Sequence, residues 1–314
     1  MKLITGLDAI DPPFTRTAVT IGNFDGVHLG HLALFEQTLE KAETIDGTAV
    51  AVTFEPHPIK VVKKTGHPPL ITLFEQKVEL ISKTGIDVLI CIPFNEAFSK
   101  ITPRNFIKDI LIDRVGMQAM VVGPDYSFGR NREGNIDVLN SFSKEYGFDL
   151  SVSRWIPTSA DTSPRISSTR IRELVMAGEV EKAPALLGRY YQLRGRVVEG
   201  RNRGGKLLGF PTANIHLTDE LCPKTGVYAV TVETDAGIFP GVANIGYSPT
   251  FDDCQFTVEV HLLDFKEDIY HQTIRVNMIH RLRGEIKFSG ISALSEQIRN
   301  DVAETRKILA AVER

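Results

Sequence analysis

Two histidines three positions apart lie where the sequence predicts a strand to end and a helix to begin. His28 and His31 follow the β-branched segment 17–21, and glycines at positions 22, 26 and 30 accompany them. Glycines permit a sharp turn and a close approach of the backbone to a ligand. The unpaired N–H groups of a helix start favour an anion.

Three interpretations of this turn are open. The glycines can simply make a turn that the histidines cap. The histidines can also bind a metal ion, although no third Cys, His or acidic residue has suitable spacing. The third interpretation is a phosphate site at the carboxyl-terminal edge of a parallel sheet, where ligands bind. We favour the phosphate site.

A second candidate phosphate-binding segment is ISSTRIR, residues 166–172. We expect Ser168 or Thr169 to cap a helix there, which puts Arg170 and Arg172 in its first turn. A cation at that end opposes the helix dipole by up to about 1 kcal/mol, and a bound anion would reverse the penalty. Taken alone, the segment is more typical of a surface helix start.

A glycine-rich segment, GRNRGGKL at residues 200–207, nearly matches a Walker phosphate-binding loop. It fails because Leu207 has no hydroxyl for magnesium and because Gly209 and Pro211 interrupt any following helix. Thr212 and Asn214 then share one face of an extended segment, and their oxygens suit Mg²⁺ bound to nucleotide phosphates. A simple turn explains the same two residues equally well.

A carboxylate lies on the polar side of an alternating strand. In the segment 256–263, Val258 and Val260 face one side, whereas Glu259 and His261 face the other. A solvated carboxylate is the commoner outcome for such a position. The alternative is a general base for a kinase that acts on an alcohol.

Two different patterns of elements must position these residues. Up to about residue 186, β-branched runs alternate with amphipathic stretches, which predicts a parallel sheet covered on both faces. From residue 193 onward, short strands separated by turns predict an antiparallel barrel or sandwich. A closing helix is predicted over 292–312, with an apolar stripe formed by Leu294, Ile298, Val302, Ile308 and Leu309.

The composition excludes several classes of protein. The 314 residues are 42% hydrophobic and 24% charged, with a formal net charge of −3, which predicts two ordinary globular domains. The slightly acidic balance argues against nucleic acid or an anionic membrane as partner. Three cysteines without CxxC spacing indicate a reducing compartment, and no apolar run approaches a membrane span. We expect a cytoplasmic protein that is a monomer or a weak homo-oligomer.

HLGH at 28–31 and ISSTRIR at 166–172 resemble the two signatures of the HxGH nucleotidyltransferase superfamily. The resemblance implies in-line attack of a phosphate oxygen on the α-phosphorus of ATP, with release of pyrophosphate and no covalent intermediate. The protein would then contribute positioning and charge stabilisation.

The later segments GFPTANI (209–215), GVYAV (226–230), GVANIGYSPTF (241–251) and VEVHLLDF (258–265) resemble the riboflavin kinase domain. Together with FDGVHLGH (24–31), EPHP (55–58) and GPDYSFGRNREG (123–134), they make the whole chain resemble the bacterial bifunctional riboflavin kinase and FMN adenylyltransferase family. This implies a Rossmann-like α/β domain over 1–186, followed by a Greek-key antiparallel β-barrel with a C-terminal helix over 187–314. Riboflavin, FMN and ATP would be the substrates, FMN and FAD the products, and Mg²⁺ the cofactor.

The resemblance also implies roles for individual residues. His28 and His31 would steady charge on the α- and β-phosphate oxygens, and Glu259 would activate the ribityl hydroxyl. Thr212 and Asn214 would bind Mg²⁺. Nucleotide or phosphate contacts are expected from Gly22, Asn23, Phe24, Gly30, Ser168, Thr169, Arg172, Gly205, Lys206, Gly209, Thr212 and Asn214. Flavin contacts are expected from Pro56, His57, Pro58, Asp125 and Phe128, although Pro-His-Pro is equally a rigid loop and Phe128 can be core.

Three functional hypotheses follow. The first is a bifunctional enzyme that converts riboflavin to FMN and FMN to FAD. The second is an enzyme with one active half, which no sequence feature supports, since the key residues of both halves are present. The third is a non-catalytic flavin-binding or RNA-binding regulator. The absence of clustered basic residues with interleaved aromatics argues against RNA, and a regulator would not need two sets of phosphate-handling residues.

Overall fold

The computed structural model describes residues 1–11, 13–63, 65–156, 165–198, 210–217, 219–249 and 254–312. The chain divides into two compact units, Met1–Ser168 and Thr169–Arg314. The functional boundary that the sequence places near residue 186 stays a prediction. Among the described residues, no helix combines the length and the apolar character that crossing a membrane requires.

The first unit is built around six parallel strands. In chain order they are β1 (Lys2–Thr5), β2 (Thr17–Ile21), β3 (Thr48–Glu55), β4 (Val88–Pro93), β5 (Met117–Val122) and β6 (Asp149–Val152). Their order across the sheet is β1-β4-β3-β2-β5-β6, and every neighbouring pair is parallel. The predicted parallel sheet is thereby confirmed.

Helices connect these strands. The α-helices with residues in the first unit are α1 (Leu29–Thr44), α2 (Pro58–Val62), α3 (Phe74–Ser82), α4 (Glu96–Ser99), α5 (Pro103–Asn105), α6 (Ile136–Tyr146) and α7 (Ser168–Ala177), which begins at the last residue of the unit. Helix α5 continues as a π-helical stretch, Phe106–Ile112, and short 3₁₀ turns cover Leu7–Ala9 and Arg130–Arg132.

The central strands are buried on both faces, which is why they are continuous apolar runs rather than alternating ones. All five residues of β2 are buried. On one face, small residues such as Ala18, Ala49 and Ala119 pack with Phe35 of α1. On the other, Val19, Val50 and other branched side chains form a larger cluster. The two clusters hold the sheet against the elements that pack on its two faces.

The chain leaves β2 toward β3 on one side of the sheet and returns to β5 on the other. Strand β2 therefore marks the topological switch point, where the loops that follow neighbouring strands diverge. In open α/β sheets this divergence leaves a crevice at the carboxyl ends of the strands, and ligands bind in it. Asn23 to His28 form the loop that begins there.

The second unit is a closed antiparallel barrel. Its strands are β7 (Tyr191–Val198), β8 (Ala213–His216), β9 (Gly226–Thr234), β10 (Gly237–Pro249), β11 (Cys254–Leu262) and β12 (Thr273–Arg283), in the order β10-β11-β8-β7-β12-β9. The unit also contains a 3₁₀ turn, Val180–Lys182, and the helices α8 (Pro184–Leu187) and α9 (Ile291–Val312). The predicted barrel and closing helix are confirmed, while the short strand β8 was not predicted as a strand.

Helix α9 packs against the barrel through Val302, which contacts the cluster of Val227, Val242 and Leu263, and through a buried ion pair. Asp301 of α9 is 5% exposed and accepts hydrogen bonds from Arg283 at Nε and Nη2, at 3.0 and 2.8 Å. Gln297 donates to the same carboxylate at 2.9 Å. The buried face of the helix consists of Asp301, Thr305 and Leu309. The predicted apolar stripe lies on this same face, since Leu309 is buried and Val302 packs against the barrel, but Asp301 and Thr305 were not predicted to be part of it.

Candidate active sites

The two histidines of the first unit cap helix α1 reciprocally. His28 Nδ1 accepts from the His31 amide, and His31 Nδ1 accepts from the His28 amide, each at 3.3 Å. Their rings stack with centroids 3.6 Å apart. Because both Nδ1 atoms accept, the proton of a neutral ring lies on Nε2. Each ring can therefore present an Nε2–H donor to an anion.

Glycines make room for this pair. A Cβ on Gly30 would approach the His28 ring to 3.1 Å, and a Cβ on Gly22 would approach the Phe24 ring to 2.8 Å. Phe24 is buried, with its ring 5.3 Å from that of His31. Phe24 therefore supports His31 from the core, and Gly22 and Gly30 serve ring packing rather than the sharp turn that the sequence predicted for them.

The turn before the histidines has an unfavourable backbone. Phe24 and Val27 have φ values of 48° and 38°, and Gly26 between them has a φ of 88°. The left-handed region costs a non-glycine residue about 1–2 kcal/mol, and it is least tolerated by β-branched residues such as valine. Such a conformation persists only where the surroundings enforce it.

A buried carboxylate enforces it. Asp25 Oδ1 accepts hydrogen bonds from the amides of Ile71 and Thr72, at 3.0 and 3.1 Å. The Gly26 amide in turn donates to the Thr72 hydroxyl at 3.0 Å. The segment just before α3 therefore holds the turn in place. Asp25 was not among the residues predicted to form the site.

A buried lysine holds the beginning of the same turn. Lys77 of α3 is 3% exposed, and its Nζ donates to the Asn23 carbonyl at 3.2 Å and lies 3.5 Å from the Thr53 hydroxyl. Burial lowers the pKa of Lys77 below its ordinary 10.5, while the carboxylates of Glu55 and Asp25 oppose that shift. Lys77 was not among the residues predicted to form the site.

The second phosphate segment meets the turn at one residue. The Ser168 hydroxyl donates to the Asp25 carbonyl at 2.8 Å. Since α7 begins at Ser168, the cap position falls before it, and the predicted capping role of Ser168 or Thr169 is wrong. Thr169 and Arg172 lie one and four residues further along α7, and Arg170 pairs with Glu173 at 3.1 Å within the helix.

The predicted flavin residues follow β3 and β5 at the same edge of the sheet. Pro56 follows a cis peptide bond, and His57 is buried and caps α2 by accepting from the Ile59 amide at 3.2 Å. Pro58 is the first residue of α2. Asp125, in the loop after β5, is exposed and lies 3.9 Å from Arg165.

Phe128 belongs to a continuous aromatic cluster. Its members contact one another at centroid distances between 5.5 and 6.2 Å, and they are Phe54, Phe94, Phe98, Phe106, Tyr126 and Phe128. Phe128 itself is 6% exposed, so it acts mainly as core. Tyr126 stacks on it and is half-buried, and it is the more accessible ring of the two.

Three polar residues form a row on the outer face of the barrel. Glu259 of β11 is paired in register with Asn214 of β8 on one side and with Asn244 of β10 on the other. Its neighbours along the strand, Val258 and Val260, are buried inside, as the alternation predicted. Burial raises the pKa of Glu259 above its ordinary 4.5. Within the described part of the chain, no side chain hydrogen-bonds its carboxylate.

Thr212 lies two residues before Asn214, at a cavity of about 320 Å³. The cavity is also lined by Pro211, Leu262, Phe265 and Tyr270. His261 Nδ1 lies 2.7 Å from the Pro211 carbonyl, and because a carbonyl only accepts, Nδ1 carries a proton there. His261 thus fixes the residue before Thr212. Gly205, Lys206 and Gly209 lie outside the described residues.

The donor set of the barrel suits a hard cation bound mainly by its substrate. No group of three His, Cys, Asp or Glu side chains converges on one point in the described ranges. Thr212 instead offers a hydroxyl at the cavity, and Asn214, two residues further along the chain, offers an amide oxygen. Magnesium in nucleotide sites is typically held by few protein oxygens, with phosphates and water completing its shell. The residues present therefore fit a phosphate-bound divalent cation.

Comparison with known proteins identifies two family domains. The FAD synthetase family model matches residues 11–170, and the riboflavin kinase model matches residues 187–309. A bifunctional riboflavin kinase/FMN adenylyltransferase from Haemophilus influenzae is 38% identical over 98% of both chains. The protein of the same description from Escherichia coli K12 is 36% identical over 98% of this chain and 97% of its own.

One solved structure shares the fold over the whole chain. It comes from Streptococcus pneumoniae, is described as a macrolide-efflux protein, and superposes with a TM-score of 0.86 at 30% identity, covering 98% of this chain and 99% of its own. That description differs from those of the curated relatives, whereas both family models and the full-length relatives agree with each other. The chain belongs to the family of bifunctional riboflavin kinase/FMN adenylyltransferases.

Proposed function

We propose that the two reactions of this family occur at the two sites described above, adenylyl transfer at the β2–α1 turn and phosphoryl transfer on the outer face of the barrel. As a member of the family, the chain synthesises FAD from riboflavin. The first step phosphorylates riboflavin with ATP to give FMN and ADP. The second adenylates FMN with ATP to give FAD and pyrophosphate.

At the β2–α1 turn, a phosphate oxygen of FMN attacks the α-phosphorus of ATP while the bond to pyrophosphate breaks. His28 and His31 would stabilise the charge on the α- and β-phosphate oxygens through their Nε2–H groups. Catalysis of this kind depends on positioning and on preorganised donors. Ser168, Thr169 and Arg172 would hold the pyrophosphate that leaves, and Gly22, Asn23, Phe24 and Gly30 would contact the nucleotide.

The aromatic cluster supports a flavin position beside this turn. An isoalloxazine ring needs apolar and aromatic surface. Four members of the cluster, Phe54, Phe94, Phe98 and Tyr126, are half-buried and can offer such a surface. Pro56, His57, Pro58 and Asp125 would line the same edge of the sheet, after strands β3 and β5. Phe128 would support the flavin contact indirectly, because its buried ring stacks on that of Tyr126.

On the barrel, Glu259 would accept the proton of the terminal ribityl hydroxyl. The hydroxyl oxygen then forms a bond to the γ-phosphorus, and the bond between that phosphorus and the β-phosphate oxygen breaks to release ADP. The carboxylate is suited to this role because it has no hydrogen-bond partner among the described residues and because burial raises its pKa. Gly205, Lys206 and Gly209 would cover the nucleotide.

Enzymes that transfer phosphoryl or adenylyl groups from ATP typically need a divalent cation, and we propose Mg²⁺ for this chain. Thr212 and Asn214 would hold it together with the ATP phosphates. When bound, the ion neutralises phosphate charge and orients the group that is transferred. A cytoplasmic location and a monomeric or weakly oligomeric state also stay predictions.

The observation that carries the assignment of two sites is that His28 and His31 cap a helix at the carboxyl edge of the parallel sheet, whereas Asn214 and Glu259 are paired on the barrel. The test is incubation with riboflavin, ATP and Mg²⁺, with chromatographic separation of FMN from FAD and separate assays for ADP and pyrophosphate. We expect both flavins and both leaving groups. A single product would support an enzyme with one active half, and neither product would support a flavin-binding regulator.

A further inference from the structure

We propose that Lys77 is a positioning residue for adenylyl transfer: its ammonium group holds the Asn23 carbonyl and adds positive charge next to the turn that carries His28 and His31. This inference rests on the proposed placement of adenylyl transfer at that turn. It assigns a function to a buried cation that the reaction scheme above does not use.

The first argument is the location of the ammonium group. Lys77 extends from the first turn of α3 to the carboxyl ends of two neighbouring strands, where it meets Asn23 after β2 and Thr53 near the end of β3. The Thr53 hydroxyl donates to the same Asn23 carbonyl at 3.3 Å. Lys77 therefore links two segments. One is the loop after β2, which is proposed to bind phosphate, and the other is strand β3, which leads into Pro56 and His57.

The second argument is the unfavourable backbone that the ammonium group helps to fix. The left-handed residues Phe24, Gly26 and Val27 are held at their middle by Asp25, which is bonded to residues 71 and 72. Lys77 fixes the start of the turn from the same segment of chain. Without it, the residues before His28 would lose one of the contacts that oppose their relaxation.

The third argument is charge. Burying an ammonium group is unfavourable unless its donors are satisfied and anionic groups lie near. Here Glu55 and Asp25 are the carboxylates that act on it, with Cys91 as the third titratable neighbour. A cation retained at such a cost beside a site for triphosphate and pyrophosphate is expected to favour the anionic ligand, since a buried charge is poorly screened.

The test compares two substitutions of Lys77. Lys77→Met keeps an unbranched side chain of similar length but removes the charge, whereas Lys77→Arg keeps the charge. Lys83→Met is the matched control, because Lys83 is exposed at the end of the same helix and pairs with Glu79. FAD formation from FMN and riboflavin phosphorylation are measured for all three, with KM for ATP, kcat and the melting temperature.

For Lys77→Met we expect kcat/KM of FAD formation to fall about 100-fold, the scale for misplacing reacting groups by about 1 Å, with most of the loss in KM for ATP. Lys77→Arg should recover at least half of that loss on a logarithmic scale. Lys83→Met, and riboflavin phosphorylation in every variant, should stay near the parental values. If Lys77→Met does not fold, Lys77→Gln, which keeps a donor for the Asn23 carbonyl without the charge, takes its place.

Two results would overturn the inference. One is a folded Lys77→Met or Lys77→Gln enzyme with parental kinetics of FAD formation. The other is an equal loss in the neutral and Lys77→Arg variants that follows the melting temperature, which would make Lys77 a packing residue only. A parent enzyme that forms no FAD would instead contradict the proposed function, so the two failures are distinguishable.

Discussion

Asn214 and Glu259 lie directly opposite each other on neighbouring antiparallel strands of the barrel. Residues paired in this way have Cβ atoms about 4.5–5.5 Å apart and project from the same face. An amide oxygen suited to a hard cation and a carboxylate suited to accepting a proton are therefore neighbours. The register of two strands, rather than any loop, sets the spacing between the proposed phosphate contact and the proposed base.

The first prediction concerns Glu259→Gln. The change keeps the size of the side chain and removes the basic oxygen, so FMN formation should slow by about 100- to 10,000-fold, the usual value of a positioned general base. Steady-state assays of riboflavin phosphorylation measure the effect. FMN supplied directly should still give FAD at close to the parental rate, and Glu296→Gln, an exposed position on α9, serves as control. Unchanged kinase activity would remove Glu259 from the base role.

The second prediction is the pH dependence of the kinase reaction. A general base must be ionised, so the rate falls as the pH drops through the pKa of Glu259. Because burial raises that pKa above 4.5, the fall should begin at a higher pH than for an exposed carboxyl group. The cross-strand neighbours Asn214 and Asn244 are uncharged, and His261 lies two residues away on the same face.

The pH profile of kcat for FMN formation checks this prediction, since it reports the groups that titrate in the substrate complex. FAD formation from FMN serves as the reference, because its proposed site does not contain Glu259. An acidic limb that persists unchanged in the residual activity of Glu259→Gln would assign it to another group.

The third prediction concerns His28→Ala. The substitution removes one Nε2–H donor and the side-chain cap of α1, so FAD formation should fall by about 100-fold or more, the scale for losing a preorganised donor. Riboflavin phosphorylation should be nearly unaffected. His67→Ala, which changes a histidine outside the turn, should leave both rates near parental. If His28→Ala abolished both reactions in a folded protein, the two-site assignment would be false.

The sequence was sufficient for the elements that have strong local patterns. The buried β-branched run of β2 and the alternation around Glu259 are each visible in a few consecutive residues, and both predictions are confirmed. The helix start beside His28 and His31 was also predicted, and α1 begins at Leu29. These features are local, so residues within a few positions determine them.

Contacts between distant segments were not predictable from local patterns. Asp25 accepts hydrogen bonds from the amides of Ile71 and Thr72, which lie 46 and 47 positions away in the sequence. Lys77 donates to the Asn23 carbonyl, which lies 54 positions away. In a single sequence, each is one charged residue among many. Strand β8 was missed because it has four residues and follows a glycine- and proline-rich segment.

The polar residues on the buried face of α9 were not predicted, for a related physical reason. An apolar stripe is the usual guide to the buried side of a helix, and a charged residue such as Asp301 is left out of it. The buried carboxylate is stable there because Arg283 of β12 reaches it with two donors. Only knowledge of that partner would have placed an aspartate against the barrel.

The last prediction tests this pair. Asp301→Ala leaves the Arg283 guanidinium, whose side chain is 17% exposed, without its carboxylate. Removing one partner of a buried ion pair typically costs about 3–5 kcal/mol. Urea denaturation monitored through riboflavin phosphorylation should show this decrease in the free energy of unfolding. The transition monitored through FAD formation from FMN should change much less. Glu304→Ala, which breaks an exposed pair with Lys307, should cost less than about 1 kcal/mol.

A double variant separates the ion pair from general damage to the helix. In Arg283→Met with Asp301→Leu, apolar side chains replace both charges, and such replacements of buried pairs are often neutral or stabilising. The double variant should therefore be more stable than Asp301→Ala alone, although Gln297 loses its acceptor in both. Equal stability of the two would mean that Asp301 stabilises α9 through Gln297 rather than through Arg283.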